Sequence, residues 1–186
     1  TGDLLGQSEV FGITTTCGSE SLLSVMYAYR EWGLEKGISE PTCKALSQHP
    51  GEHGSRGLLQ GGQDHGDSSD RGDAGPGVLQ ADGGRGEAQH RQEHHLRKRL
   101  IQIGASAPTY CHCVVDDIEG LSRVALQWGT NLHVDCCTGG FVLPFLDQPG
   151  FDFRVPGVTS ITCDPHQFGQ SPKGISVLLY RTSQLR

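Results

Sequence analysis

The sequence predicts an α/β fold with a mostly parallel sheet flanked by helices, and three observations carry that prediction. Apolar runs of strand length recur at Leu100-Ile-Gln-Ile103, Leu132–Asp135, Val158–Cys163 and Ile175–Tyr180. Stretches with helical spacing stand among them, around residues 19–36 and 118–128. Such alternation builds a layered sheet with helices on its faces. Third, the run ending in Asp135 passes at once into small residues, and the carboxyl end of a strand is where an α/β protein places its chemistry.

Each element has its own signals. Phe11-Gly-Ile-Thr-Thr15 reads as a strand that turns through Cys17-Gly18 into a helix. Ser19 is the expected N-cap, with Glu20 suited to the positive helix end. Leu22, Leu23, Val25, Met26, Tyr29 and Trp32 supply the apolar spacing, and Gly37 the stop. Free amides at that helix start also suit an anion such as phosphate. Further on, Asp116 and Asp117 precede a helix carrying Leu121, Val124, Ala125 and Trp128, which Gly129 closes. A loop with Pro144, Pro149 and Pro156 leads to the last two strands.

Composition narrows the function classes. The chain has 186 residues, enough for one domain with a real core or for part of a larger one. A formal net charge of −6 argues against a nucleic-acid footprint. No run approaches the roughly 18 apolar residues of a membrane span, and the first residues lack a signal-peptide pattern, so the chain reads as soluble. Seven cysteines, Cys17, Cys43, Cys111, Cys113, Cys136, Cys137 and Cys163, make an odd count that favours reduced thiols.

The segment 41–98 breaks the pattern. Gly, Gln, Asp, His and Arg dominate it, neither period survives, and such a composition predicts disorder. Its Arg71-Gly-Asp73 tripeptide reads as chance, and His90, His94 and His95 as a solvated polar run. Domain organisation is therefore read as 1–40, the start of a cofactor-binding domain, the polar segment 41–98, and 99–186, its continuation.

The ordered parts resemble the pyridoxal-phosphate enzymes of the group II decarboxylase superfamily, and within it the sphingosine-1-phosphate lyases. The resemblance lies in Thr16-Cys-Gly-Ser-Glu-Ser-Leu-Leu23, Tyr29-Arg-Glu-Trp-Gly33, Ser106-Ala-Pro108, His133-Val-Asp135, Gly139-Gly-Phe-Val-Leu-Pro-Phe-Leu146, Phe151–Ile161 and Pro172-Lys-Gly174. It covers about residues 9–40 and 99–186, and the run 139–161 is specific to the lyase branch. It implies a fold-type I architecture, of which this chain looks like part of the large domain. It also implies pyridoxal 5'-phosphate as cofactor and a homodimer with its site at the interface. The implied reaction is carbon–carbon cleavage of a phosphorylated sphingoid base to a fatty aldehyde and phosphoethanolamine. Eukaryotic members are held at the endoplasmic reticulum by an N-terminal anchor that has no counterpart here.

Carried over residue by residue, the resemblance assigns Gly18 and Ser19 to the cofactor phosphate and Asp135 to its pyridine nitrogen. An acid there favours the protonated ring, each pKa unit being worth about 1.4 kcal/mol. His166 matches the histidine beside the cofactor lysine, and Lys173 a second lysine thought to assist catalysis. The departures are as telling. Where the family reads Asp-x-His-Lys this chain has Gln167, and a carboxamide forms no Schiff base. Cys17 replaces a glycine of the phosphate turn, Cys111 and Cys113 stand where the family has proline and glycine, and Cys136 replaces a small alanine, so its thiol is expected to crowd the ring face. Across the polar segment the family's ring-stacking histidine is missing. Codons for Gly57-Leu-Leu-Gln-Gly-Gly62, read one base later, allow a family-like Ala-Phe-x-Lys-Ala, which points to a frameshifted or mis-spliced stretch.

Two other readings stand beside an impaired lyase. One is a catalytically dead relative or fragment of the same family. The other is a metal-binding protein using Cys111-His112-Cys113, Cys136, Cys137 and His133, although adjacent cysteines rarely both reach one ion. No metal site is expected.

Overall fold

The computed structural model describes residues 1–38, 41–45, 100–110, 112–146 and 150–185. Its centre is one six-stranded sheet ordered β1-β6-β5-β4-β3-β2. The strands are β1 (Phe11–Thr15), β2 (Thr42–Ala45), β3 (Leu100–Ser106), β4 (Asn131–Cys136), β5 (Val158–Cys163) and β6 (Ser176–Tyr180). The pairs β2–β3, β3–β4 and β4–β5 are parallel, whereas β6 runs antiparallel to both β5 and β1. The expected mostly parallel sheet is present in its three parallel pairs, with β6 adding the two antiparallel ones.

Helix α1 (Gly18–Glu35) covers one face and helix α2 (Ile118–Trp128) the other. Period-two alternation divides β4 cleanly between them. Leu132, Val134 and Cys136 join the core that α2 closes with Ile118, Leu121 and Ala125. On the opposite face, the fully buried Tyr29 of α1 donates its hydroxyl proton to Ser160 Oγ at 2.6 Å. Ser160 in turn lies 2.7 Å from His133 Nδ1, and His133 Nε2 lies 3.3 Å from Thr162 Oγ1. Burial drives the His133 pKa down to about 3, so the ring is neutral. A second hydroxyl chain, Thr15–Ser21–Ser176, ties β1, α1 and β6 together at 2.6 and 2.9 Å.

Several elements depart from the sequence reading. The strand β2 lies inside the stretch expected to be structureless. Its four residues pair with β3, and Cys43 packs beside Ile101 and α1, contacts that no local period reveals. The rest of the polar segment, 46–98, with its Arg-Gly-Asp tripeptide, its histidines and the frameshift reading, lies outside the described residues.

Helix α1 begins at Gly18 with Cys17, not Ser19, at the N-cap. The Glu20 carboxylate reaches back to Thr16 N at 2.7 Å and Thr16 Oγ1 at 2.6 Å, and this closes the turn two residues early. Its buried stripe is Ser21, Val25, Tyr29 and Gly33, with Leu23 exposed. Gly33 allows the helix to lie on the sheet, since a Cβ there would meet Ile101 Cγ2 at 2.7 Å. Helix α2 follows the prediction closely. The Asp117 carboxylate accepts from Gly120 N at 2.8 Å, and Gly129 closes the helix in the left-handed region.

Candidate functional site

The carboxyl ends of β4 and β5 meet the amino end of α1. Parallel pairing opposes Asp135 to Thr162 and Cys136 to Cys163, so the residues just after both strands emerge side by side. Asp135 ends the α1-facing row of β4 and Asp164 follows β5. Asp164 N donates to Cys137 O at 3.2 Å, joining the two loops.

Gly18 lies against this junction. A Cβ there would sit 2.6 Å from Cys137 Sγ and 3.3 Å from Asp164 Oδ2, so only glycine allows the close approach. Cys17 gives the first-turn amides no side-chain acceptor, which keeps the positive end of α1 open toward the junction. Ser19 is exposed in that first turn.

The Asp135 carboxylate accepts from Cys137 N at 2.9 Å. Its pKa is nevertheless raised, chiefly by burial, with the Asp164 charge adding to it against the Cys137 hydrogen bonds. Burial, followed by the charges of Asp135 and Asp164, also holds the Cys137 thiol strongly protonated. Asp164 is itself buried, and its Oδ1 has no hydrogen-bond partner among the described residues.

Gln167 is seated on the same acid. Its Nε2 donates to Asp164 Oδ2 at 3.4 Å, and its Oε1 accepts from Thr138 Oγ1 at 3.3 Å. His166 Nδ1 donates to the Ile175 carbonyl at 2.6 Å, which leaves Nε2 3.7 Å from Asp164 Oδ2.

Gly18, Asp135, His166 and Gln167 thus converge on one end of the sheet, with Ser19 at its margin. Lys173 is exposed on the loop that leads into β6. Asp164, Cys137 and Thr138 belong to the cluster as well, and of these only Cys137 has a role from the sequence, as a soft metal ligand. The signal for Asp164 was its place after β5, matching that of Asp135 near the end of β4. One expectation is overturned. Cys136 does not crowd this site, because strand alternation turns its fully buried side chain to the opposite face, into the core against α2. The same alternation separates Cys136 from His133, and no three metal-ligating side chains converge among the described residues.

As a cofactor seat, the arrangement fits a phosphorylated pyridine. It offers open helix amides for the phosphate, a glycine that admits close approach, and a buried acid for the ring nitrogen. What it lacks is a primary amine at the lysine position.

Comparison with known proteins gives the same picture. Residues 83–185, more than half of the chain, match the family model described as the pyridoxal-dependent decarboxylase conserved domain. The sphingosine-1-phosphate lyase of Saccharomyces cerevisiae is 37% identical over 183 residues, covering 94% of this chain and 29% of that protein. Sphingosine-1-phosphate lyase 1 of Rattus norvegicus is 32% identical over 188 residues, 97% of this chain and 31% of that protein. The chain therefore spans about 30% of the length of these curated relatives. Among solved structures, the sphingosine-1-phosphate lyase of Burkholderia pseudomallei superposes with a TM-score of 0.67 at 28% identity, over all of this chain and 42% of that one. Tryptophan decarboxylase of Catharanthus roseus, at 18% identity and a TM-score of 0.67 over 99% of this chain and 40% of that one, shares the fold.

Proposed function

The chain belongs to the pyridoxal-dependent decarboxylase family, and from that premise we propose that it holds pyridoxal 5'-phosphate without a covalent bond. The protein is of the sphingosine-1-phosphate lyase type, and its turnover is impaired at Gln167. The observation that carries this reading is the convergence of Gly18, Asp135, His166 and Gln167 on one end of the sheet, with a carboxamide where the family has its lysine.

When bound, pyridoxal phosphate supplies an electron sink for a pair released from a breaking carbon–carbon bond. The chain's own residues do the holding. The amides at Gly18 and Ser19 and the helix dipole favour the phosphate, and Asp135 keeps a proton on the ring nitrogen. A protonated pyridine beside Asp135 would offset the cost of burying that carboxylate, whose pKa burial raises. His166 ties the turn that carries Gln167 to the entry of β6, through Nδ1–H donating to the Ile175 carbonyl. Gln167 donates and accepts hydrogen bonds but has no nucleophilic lone pair on nitrogen, so the covalent route that a lysine opens is closed.

The substrate of the complete protein is then a phosphorylated sphingoid base, and two copies of the chain's large domain build the site. Lys173 enters as a second basic group in the complete assembly. The described residues of 1–45 and 100–185 form the cofactor-binding domain, β2 included, on either side of the polar segment. Among the described residues no helix is long and apolar enough to cross a membrane.

Equilibrium titration of the full chain with pyridoxal 5'-phosphate tests the reading. Saturable binding at one cofactor per chain, weakened about tenfold or more in Asp135→Ala, is the expected result. Binding that is unsaturable, or indifferent to Asp135, refutes it.

A further inference from the structure

We infer that this seat selects the amine form of the cofactor, pyridoxamine 5'-phosphate, over the aldehyde form; the inference rests on the cofactor reading above. It comes from counting donors and acceptors around Gln167. Asp164 is 4% exposed, and its Oδ1 is buried with no hydrogen-bond partner among the described residues. Its other oxygen takes a long bond from Gln167 Nε2, at 3.4 Å, and stands 3.7 Å from His166 Nε2, with the Cys137 thiol hydrogen-bonded to the same carboxylate. The Gln167 carbonyl oxygen accepts from Thr138 at 3.3 Å and keeps a second lone pair. Asp164 acts electrostatically on the Asp135 carboxylate, which is a further acceptor of the same cluster.

Asp164 Oδ1 and the second lone pair of the Gln167 carbonyl thus stand without a donor among the described residues, while one of the two Gln167 N–H groups is already engaged by Asp164. A buried acceptor left without a donor is costly, and more so when it carries charge. The aldehyde oxygen is an acceptor only. Brought next to Gln167 it gives Asp164 no proton and sets a carbonyl dipole against a carboxylate. In relatives with a lysine, covalent capture offsets that mismatch, whereas here no amine waits for the carbonyl carbon. Cys137 is no substitute nucleophile, because burial between two acids keeps its sulfur protonated.

The aminomethyl group of pyridoxamine phosphate reverses the balance. As an ammonium it brings three donors and a positive charge to Asp164 Oδ1 and Gln167 Oε1. It needs no covalent partner. The phosphate and ring contacts are common to both forms, so the difference between their affinities isolates the Asp164–Gln167 side.

Isothermal titration of the full chain with pyridoxamine 5'-phosphate and with pyridoxal 5'-phosphate, each alone, tests the inference. The amine form is expected to bind about tenfold tighter or more, the scale of one charged hydrogen bond. Equal affinities, or tighter binding of the aldehyde, overturn this inference and leave the cofactor reading standing. Binding of neither overturns both. In Asp164→Asn the advantage of the amine is expected to vanish, and its persistence overturns the role given to Asp164. Gln167→Lys supplies a second check that spares the buried acid. Its own ammonium repels that of the amine form, so affinity for pyridoxamine 5'-phosphate should fall at least about tenfold, and unchanged affinity contradicts the account.

Discussion

Gln167 and Asp164 are joined side chain to side chain, Nε2 to Oδ2 at 3.4 Å, at the point where β5 releases the chain toward α1. A lysine at the same position would meet the same carboxylate. The first prediction follows from that equivalence. Gln167→Lys, incubated with pyridoxal 5'-phosphate, should gain a visible absorbance band and a covalent adduct fixed by borohydride, read as one cofactor mass per chain. Absence of the adduct in a folded variant would show that the cluster does not place residue 167 against the cofactor.

The contact at Gly18 makes a paired prediction. A methyl group there would lie 2.6 Å from Cys137 Sγ, a distance real side chains do not adopt. Gly18→Ala should cost about 1–3 kcal/mol, the range for overpacking a tight site. For a chain of this size, that corresponds to a melting point lower by about 2–4 °C per kcal/mol. Adding Cys137→Ala should recover most of the loss. Additive losses in the double variant would mean that the two residues are not in contact.

His133 links the fold to pH. Its folded pKa of about 3 lies below the unfolded value near 6.5, so the unfolded chain binds the extra proton between those limits. The stability this group contributes is fully present above about pH 6.5 and is lost as pH falls toward 3, at about 1.4 kcal/mol per unit. Burial moves Asp135 the other way, because a raised carboxyl pKa makes stability fall as pH rises through that range. Comparing His133→Gln with the parent chain in urea unfolding at several pH values isolates the histidine. The variant should show the shallower loss between pH 6.5 and 5, and parallel curves would contradict a neutral buried ring.

The fold was legible where the chain's local signals and its packing agree. Asp117 and Gly129 bound α2 because capping chemistry is local, and β5 ends where its apolar run ends. Strand β2 was hidden because four residues in a polar setting owe their conformation to β3 and to the packing of Cys43 against the core under α1. At the site, Asp135 was readable from its place at a strand end. Thr138 and the place of Cys137 beside Asp164 were not readable, since they depend on two loops that parallel pairing brings together. Cys136 illustrates the converse. Sequence neighbours on a strand face opposite ways, and its thiol lies in the core.

The hydroxyl of Tyr29 carries another expectation. It donates to Ser160 and lies 2.7 Å from Thr159, in a fully buried setting beneath α1. Tyr29→Phe should lower unfolding free energy by about 1–3 kcal/mol, because Ser160 loses its donor. The cofactor affinity of the same variant should stay close to that of the parent, since Tyr29 lies away from the Asp135 end of β4. A large loss of affinity would place the relay in the binding machinery.

The central claim is that the chain seats the cofactor and does not tether it. Borohydride treatment of the parent chain saturated with pyridoxal 5'-phosphate, followed by exhaustive dialysis and mass measurement, tests this most directly. The account predicts saturable binding before reduction, complete removal by dialysis, and an unmodified mass afterwards. A cofactor mass retained at stoichiometric level after reduction would mean that another amine of the chain has taken the place of residue 167, and would contradict it.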